Sequence, residues 1–274
     1  MTSLRPAWLF AAASLILANP LLHKTISDVC DWARARWGFS LYDWTALVAI
    51  PLVSILAASP FLVRGGHRLL SRRLAPLSLL ILGALTVAAH RWLFVANIEL
   101  IHFPQFALLS ALLLAAGLGG VAAFLTAAVA GILDETYQYF VVYAGFPGIY
   151  YDINDIVLNT IGAAWGVVLC ADALRRRDGD GRPQGGSPPV GVEPASWVTS
   201  VRGAMLALLA LPVVLLLDPP SFSPLLRPTD SGRALFRELS AGEGLVVCSM
   251  IWGLVALLMR DDGRSARHAV RRSR

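Results

Sequence analysis

The sequence predicts an all-α fold: a polytopic helical integral membrane protein with about eight transmembrane helices. Of its 274 residues, 56% are hydrophobic and only 15% are charged, and the mean hydropathy is +0.63. Several apolar runs are long enough to cross a bilayer, where only helices and closed barrels satisfy all of their backbone polar groups. These runs are rich in Leu and Ala and do not alternate with polar residues, which favours helices over barrel strands.

The positive charge of the chain predicts its orientation in the membrane. The net charge is +5 and the pI is about 9.5, values that would also suit a nucleic-acid-binding protein. However, the arginines cluster beside apolar runs, in segments 64–75, 175–182 and 260–274, as the positive-inside rule describes. We therefore expect a multi-pass protein of the cell membrane with both termini cytoplasmic, no nucleic-acid partner, and contact between the tail and anionic lipids.

The three cysteines carry no sign of a disulfide or a zinc site. Cys30, Cys170 and Cys248 lie far apart and form no CxxC or Cys/His spacing. Each is interpreted as a small apolar residue within a helix.

The first quarter of the chain, residues 1–75, is predicted to hold N-terminal helices and an interfacial loop. The first span covers 8–22, and because no small-residue cleavage site follows, we favour an uncleaved helix over a signal peptide. Segment 23–44 balances its charges and is rich in Trp and Tyr, which is typical of an interfacial loop or helix. A second span is expected over 45–63.

The rest of the chain divides into a core, a linker, a helix pair and a tail. The core, 76–173, holds a third span (76–95), a fourth (103–118), a fifth (121–143) and a sixth (155–174), with Gly119 and Gly120 as the turn between the fourth and fifth. Segment 174–200 is rich in Gly, Pro and charge and is predicted to be a flexible cytoplasmic linker. A C-terminal helix pair over 201–260, with spans at 201–217 and 244–259, and a basic tail over 261–274 follow.

Polar residues gather in segment 131–166 of this otherwise apolar chain. Ionisable groups inside a membrane helix are costly and usually mark a site. Helical spacing puts Glu135 and Gln138 on one face, and puts Asp155 and Asn159 on one face of the next helix. The residues that share these faces with them are Gly131, Gly162 and Gly166, and the last two form a GxxxG pair suited to close helix packing.

The predicted topology brings a third polar stretch to the same end of the membrane. Glu99 and His102, near the start of the fourth span, are one helical turn apart. Together with Asp152 and the polar residues of the fifth and sixth spans, they converge on the outer side. Independent structural uses would scatter such residues over different depths, so convergence favours a site.

These stretches, IELIHFPQFALLSALL, GILDETYQYF and YDINDIVLNTIGAAWG, resemble the VanZ-like family of bacterial membrane proteins. The family pattern has an acid and a His, then Gly, Glu and Gln, then Asp, Asp, Asn and Gly. In this sequence these positions are held by Glu99, His102, Gly131, Glu135, Gln138, Asp152, Asp155, Asn159 and Gly162. The resemblance covers about 76–173. Two departures are Phe106, where the family often has Tyr, and the segment before Asp152, which lacks the family's Arg.

The resemblance implies the fold more strongly than the reaction. The family is named for a glycopeptide-resistance protein, which implies antibiotic resistance and a site that binds or modifies a lipid head group, a cell-wall precursor or a glycopeptide. Membrane lipids are the other expected partners. Residues assigned a catalytic role are Glu99, His102, Glu135 and Asp155, those assigned a binding role are Gln138, Asp152 and Asn159, and those assigned to helix packing are Gly131, Gly162 and Gly166.

Other functions remain open from the sequence. The carboxylates could hold a divalent cation, although the metal, if any, is unknown. An ion- or proton-coupled transporter is a second class, weakened by the lack of internal repeats. A purely structural membrane module is a third, since Glu135 and Gln138 could be interhelical hydrogen-bond partners and Asp152 and Asp155 could cap a helix. No GxSxG, HExxH or P-loop motif indicates an enzyme.

Overall fold

The computed structural model describes residues 5–71, 75–94, 96–145, 151–179 and 238–272, and every regular element within them is helical. The elements are α1 (Arg5–Trp37), α2 (Phe39–Ser71), α3 (Ala75–Trp92), a 3₁₀ turn (Asn97–Ile101), α4 (His102–Ala115), α5 (Gly120–Tyr137), a π-helical turn (Gln138–Val142), α6 (Ile153–Gly179) and α7 (Ala241–Arg272). The prediction of an all-α membrane protein is confirmed.

Five of the described helical segments are long and apolar enough to cross a membrane, and two shorter apolar helices accompany them, at Leu77–Trp92 and Ala241–Leu257. The predicted span at 201–217 lies outside the described residues, so the count of eight stays a prediction. Two predicted boundaries differ from the structure: α6 continues to Gly179, into the expected linker, and α7 continues to Arg272, into the expected tail.

Segment 23–44 is helical on both sides of a single break. The α1 helix runs through Lys24 and Asp28, which form an ion pair one turn apart and so support its continuation. It ends at Trp37 because Gly38 takes a left-handed conformation with φ of +79°, which glycine adopts without steric cost. The α2 helix begins at the next residue, so the two helices adjoin where an interfacial loop was one of the alternatives.

The α6 helix lies at the centre of the bundle. It contacts α2, α3, α4, α5 and α7, and 83% of its apolar segment is buried inside the protein, against 6% for α1. Its contact with α4 is the closest in the bundle because glycine faces backbone there. A Cβ atom on Gly162 would lie 2.7 Å from the carbonyl oxygen of Phe103, and one on Gly166 would overlap that of Ala107. The glycine pair therefore packs on α4 rather than on α5.

Contacts at the helix ends fix the directions of the helices. The Arg5 guanidinium lies at the α4–α5 turn, against the left-handed Gly117, so α1 begins where α4 ends. The turn, predicted at Gly119 and Gly120, begins earlier, with the left-handed Gly117, and Gly120 is already the first residue of α5. We call this the basic end of the bundle. At the opposite end, the site end, α4 and α6 begin together, and α7 also begins there because the backbone N–H of Leu239 donates to Asn154 at 3.0 Å.

Candidate functional site

His102, the first residue of α4, joins that helix to α6. Its Nδ1 lies 2.8 Å from Oδ1 of Asn159, and its Nε2 lies 3.4 Å from Oδ2 of Asp155. Asp155 and Asn159 are one turn apart on α6, so one imidazole bridges both side chains. Close approach is possible because the backbone of His102 packs on Gly162, one turn further along α6. His102 is thus held between a carboxylate and an amide, an arrangement that can exchange a proton.

The α5 helix supplies a second acid and a second amide to the same place. Gly131 packs on Asn159, and a Cβ atom there would lie 2.8 Å from Cβ of Asn159. Because α5 and α6 run in opposite directions, Glu135, one turn after Gly131, faces the turn of α6 that carries Asp155. Glu135 is 3% exposed, and its Oε1 accepts a hydrogen bond of 3.1 Å from Nε2 of Gln138.

Asp134 faces a different neighbour from Glu135 because adjacent helical residues point about 100° apart. Its Oδ2 accepts a hydrogen bond of 2.8 Å from Nδ2 of Asn19 on α1, and the Oδ1 of Asn19 in turn accepts one from Gln105 on α4. Its Oδ1 is buried and has no partner in the described structure, and the same holds for Nδ2 of Asn159. The polar group thus leaves one acceptor and one donor open.

The π-helical turn closes this end of α5. It begins at Gln138, three residues after Glu135, and π turns occur frequently at functional sites. Just beyond it, the hydroxyl of Tyr143 lies 3.1 Å from Nε2 of His23 on α1. The contact between Tyr143 and His23 shows that α1 covers the site on this side.

The segments that lead into α4 and α6 are fixed by other polar contacts. Asn97 is buried, and its backbone N–H and its side-chain amide donate to the two carboxylate oxygens of Asp43 on α2, at 2.6 and 2.7 Å. Tyr151 lies 3.0 Å from the hydroxyl of Thr136, and burial raises the pKa of Tyr151 to about 12, so its phenol stays protonated. These contacts hold the beginnings of α4 and α6 in register.

The predicted site residues divide into two groups. His102, Asp155 and Asn159 contact one another, Glu135 and Gln138 contact each other on the facing side of α5, and Gly131 allows the two sets to meet. The other two acids, Asp152 and Glu99, accept hydrogen bonds from backbone N–H groups, and their predicted roles in binding and catalysis stay predictions. Asp152 caps α6, since its Oδ1 accepts the N–H of Asp155 at 3.2 Å, and Glu99 accepts the N–H of Ala96 at 3.0 Å.

Sequence reasoning missed the contribution of α1. Asn19 and His23 lie one turn apart on the face of α1 that meets Asp134 and Tyr143. The available signal was an amide inside an apolar run, followed by a histidine four residues later, the same spacing that put Asp155 and Asn159 on one helix face. The N-terminal helix therefore belongs to the site, although the resemblance noted above begins only near residue 76.

The side chains that could ligate a metal ion do not form a metal site within the described ranges. No three His, Cys, Asp or Glu side chains come together there in a way that could hold an ion. In the same part of the chain, no lysine or arginine pairs with Asp134, Glu135 or Asp155. The chemistry that the arrangement offers is proton exchange between carboxyl groups and an imidazole, and hydrogen bonding to a ligand.

Comparison with known proteins gives one match. The model of the VanZ/LLP1 family matches residues 46–175, from the second turn of α2 to α6. The matched segment includes most of α2, although not Asp43, the partner of Asn97, and it includes all of the site residues on α4, α5 and α6 described above. It does not include α1 or α7. No match to a curated protein or to a solved structure is found.

Proposed function

Because the chain is a VanZ-like membrane protein, we propose that it binds a cell-envelope molecule through the polar group at its site end, and that His102 acts there as an acid or base. The observation that carries the proposal is the double contact of His102, with Asn159 at 2.8 Å and Asp155 at 3.4 Å, opposite the buried Glu135. A lipid head group, a cell-wall precursor and a glycopeptide are the candidate ligands.

A binding site fits this polar group better than a transport path does. A path for protons or ions needs polar groups through the full depth of the membrane. Between Thr160 and Ala171, α6 carries no charged residue, and its buried residues at this depth include Ala163, Ala164 and Val167. The buried acids Asp134 and Glu135 therefore lie at one end with Asp155, and no acid continues the path through the middle of α6, which argues against an ion- or proton-coupled transporter.

A purely structural role accounts for only part of the group. It suits Asp152, which caps α6, and the glycines, which let α4 and α6 approach each other. It does not account for a buried carboxylate oxygen on Asp134 and a buried amide nitrogen on Asn159 that have no partner in the described structure, since polar groups buried for stability are nearly always paired. Unpaired buried groups are expected where a ligand completes them.

The site end is proposed to face away from the cytoplasm. Arg64 and Arg68 lie in the last two turns of α2, the arginines at 175–177 lie in the last turns of α6, and Arg5 is the first residue of α1, so these residues belong to the basic end. The positive-inside rule makes this end cytoplasmic. Since α6 ends there and α7 begins at the opposite end, the predicted span at 201–217 would supply the crossing between them.

Orientation can be tested by labelling in intact cells. In a variant whose three native cysteines are replaced by alanine, Ala144→Cys, just after the π-helical turn, should react with a membrane-impermeant maleimide added outside. A matched Ser71→Cys, at the end of α2, should react only after the membrane is permeabilised. The opposite pattern would place the site on the cytoplasmic side and exclude an envelope ligand.

Ligand retention tests the proposed function. The full chain is assembled in nanodiscs made with the total lipid extract of a bacterial envelope, and the molecules that remain bound are identified by native mass spectrometry. We expect wild type to retain a specific envelope molecule and His102→Gln to lose it at least about tenfold, a change in binding free energy of roughly 1.4 kcal/mol. Equal retention by both proteins, with equal melting temperatures, would contradict a role for His102.

A further inference from the structure

A cleft between α1, α4 and α5 is lined at its polar end by Asp134, whose carboxylate has an unpaired oxygen. Its polar end is formed by Asn19, Gln105 and Asp134, one residue from each of the three helices. Asp134 is 4% exposed, yet its Oδ1 has no hydrogen-bond partner in the described structure. A buried, unpaired oxygen that lines a cleft indicates a missing hydrogen-bond donor.

The hydrogen bonds around the cleft run in one direction, toward the carboxylate. Gln105 donates to Asn19, and Asn19 donates to Asp134. The Gln105 amide has therefore turned its nitrogen inward, and the atoms left for an occupant are acceptors: the Oδ1 of Asp134 and the carbonyl oxygen of Gln105. An occupant that matches them must bring more than one donor.

Charge at this end of the bundle favours a cation. Asp134 and Glu135 on α5 lie at the same end of the bundle as Asp155 on α6. Among the residues that the structure describes, no lysine or arginine pairs with these three acids. A cation that reaches Asp134 from an apolar medium recovers through the carboxylate part of the interaction that it loses with water. A phosphate or carboxylate would be repelled.

The rest of the cleft is apolar and lies at membrane depth. Leu15 and Ile16 on α1 face Phe106 and Leu109 on α4 and Ala130 on α5. Asn19 lies fourteen residues after Arg5, about 21 Å of helix rise from the basic end, in a bilayer core that is about 30 Å thick. The cleft has a volume of about 10 Å³, which suits one small polar group, and its α1 wall is only partly buried, so a hydrocarbon chain from the lipid can lie along the outside of that wall.

We propose that this cleft binds the primary ammonium group of an amphiphile that enters from the bilayer, with the ammonium inside the cleft at Asp134 and the hydrocarbon chain outside it, along α1. The inference rests on the proposed function in taking the site end as the side that faces the ligand, and it adds the chemical class of the head group. It also gives α1, which lies outside the VanZ/LLP1 match, the role of recognising that group.

Four probes test the head-group chemistry. The full chain is placed in nanodiscs doped at equal mole fraction with dodecylamine, dodecyltrimethylammonium or dodecanol, or kept in undoped nanodiscs with aqueous ethylamine, and retention is measured by native mass spectrometry. We expect wild type to retain dodecylamine about tenfold better than the other three. Dodecyltrimethylammonium has the charge without a donor, dodecanol has one donor without the charge, and ethylamine lacks the chain.

Two variants locate the binding. Asp134→Asn keeps the shape of the side chain but removes its charge, and should reduce dodecylamine retention to the level of dodecanol. Ala130→Leu fills the apolar part of the cleft and should reduce dodecylamine retention while the Asp134 side chain is kept. This variant therefore provides the test if Asp134→Asn fails to fold. Leu133→Phe, which adds bulk at an exposed position of the same helix, is the matched control and should retain dodecylamine.

Failure of this inference is distinguishable from failure of the proposed function. Equal retention of dodecylamine by wild type, Asp134→Asn and Ala130→Leu, or equal retention of the four probes by wild type, would overturn the ammonium site even if His102→Gln loses an envelope ligand. Conversely, a dodecylamine preference that depends on Asp134 would uphold the site even if His102→Gln retains every envelope molecule.

Discussion

Replacing Glu135 with glutamine is expected to reduce retention of the envelope ligand at least about tenfold while the melting temperature changes by no more than a few degrees. Glutamine has the shape of glutamate, and its amide oxygen can still accept the hydrogen bond from Nε2 of Gln138. The substitution therefore preserves packing but removes the carboxyl group that faces Asp155. Retention is measured in nanodiscs as for His102→Gln, and glycopeptide tolerance of cells that express each variant provides a second measurement.

The matched control is Glu243→Gln. Glu243 is also at the site end, in the first turn of α7, where its carboxylate accepts hydrogen bonds from Ser240. This partly exposed capping side chain should tolerate the amide with full ligand retention, because glutamine also serves in a capping box. If Glu135→Gln retained the ligand as well as Glu243→Gln does, at equal expression, Glu135 would be a packing residue and its catalytic assignment would be wrong.

Replacing Gly166 with alanine is expected to lower the stability of the protein by about 1–3 kcal/mol, the usual cost of overpacking a tight contact. The added methyl group would overlap the carbonyl oxygen of Ala107, a backbone atom that cannot move without separating α4 from α6. Thermal unfolding in detergent, followed by circular dichroism, measures the effect. Because α6 carries Asp155 and α4 carries His102, ligand retention should fall with the same substitution.

Replacing Gly253 with alanine is expected not to lower the stability of the protein, although Gly253 is also a glycine inside a helix. Gly253 is also inside a helix, α7, but nothing lies within 4 Å of its Cβ position. Alanine is favoured over glycine in helices by up to about 1 kcal/mol, so this variant should match or exceed wild type in stability. Equal stability of the two variants would mean that Gly166 does not lie at a close helix contact.

The sequence predicted those parts of the site that follow from helical spacing and from the order of spans. His102, Asp155 and Asn159 contact one another because two helices that begin at the same end present their first turns to each other. Glu135 and Gln138 lie one turn apart on one helix face and do form the expected pair. Such contacts need only the helical period and the hydrophobic pattern.

Packing partners could not be predicted in the same way. The GxxxG pattern indicates that some backbone approaches Gly162 and Gly166, but not whether it belongs to α4 or to α5. Likewise, Asn19 in an apolar run could pair with any polar group at its depth, and its contact with Asp134 depends on where α1 docks in the bundle. The π-helical turn has no sequence signal of its own, because it differs from an α-helix by one hydrogen-bond step.

The most direct test of the central claim is a double-mutant cycle on ligand retention with His102→Gln, Asp155→Asn and the two combined. Residues that act as a unit are strongly non-additive. If the imidazole and the carboxylate form one acid–base pair, each single variant should lose the ligand at least about tenfold and the double variant should be no worse than either. Losses that multiply in the double variant, or single variants that retain the ligand at wild-type stability, would contradict the claim.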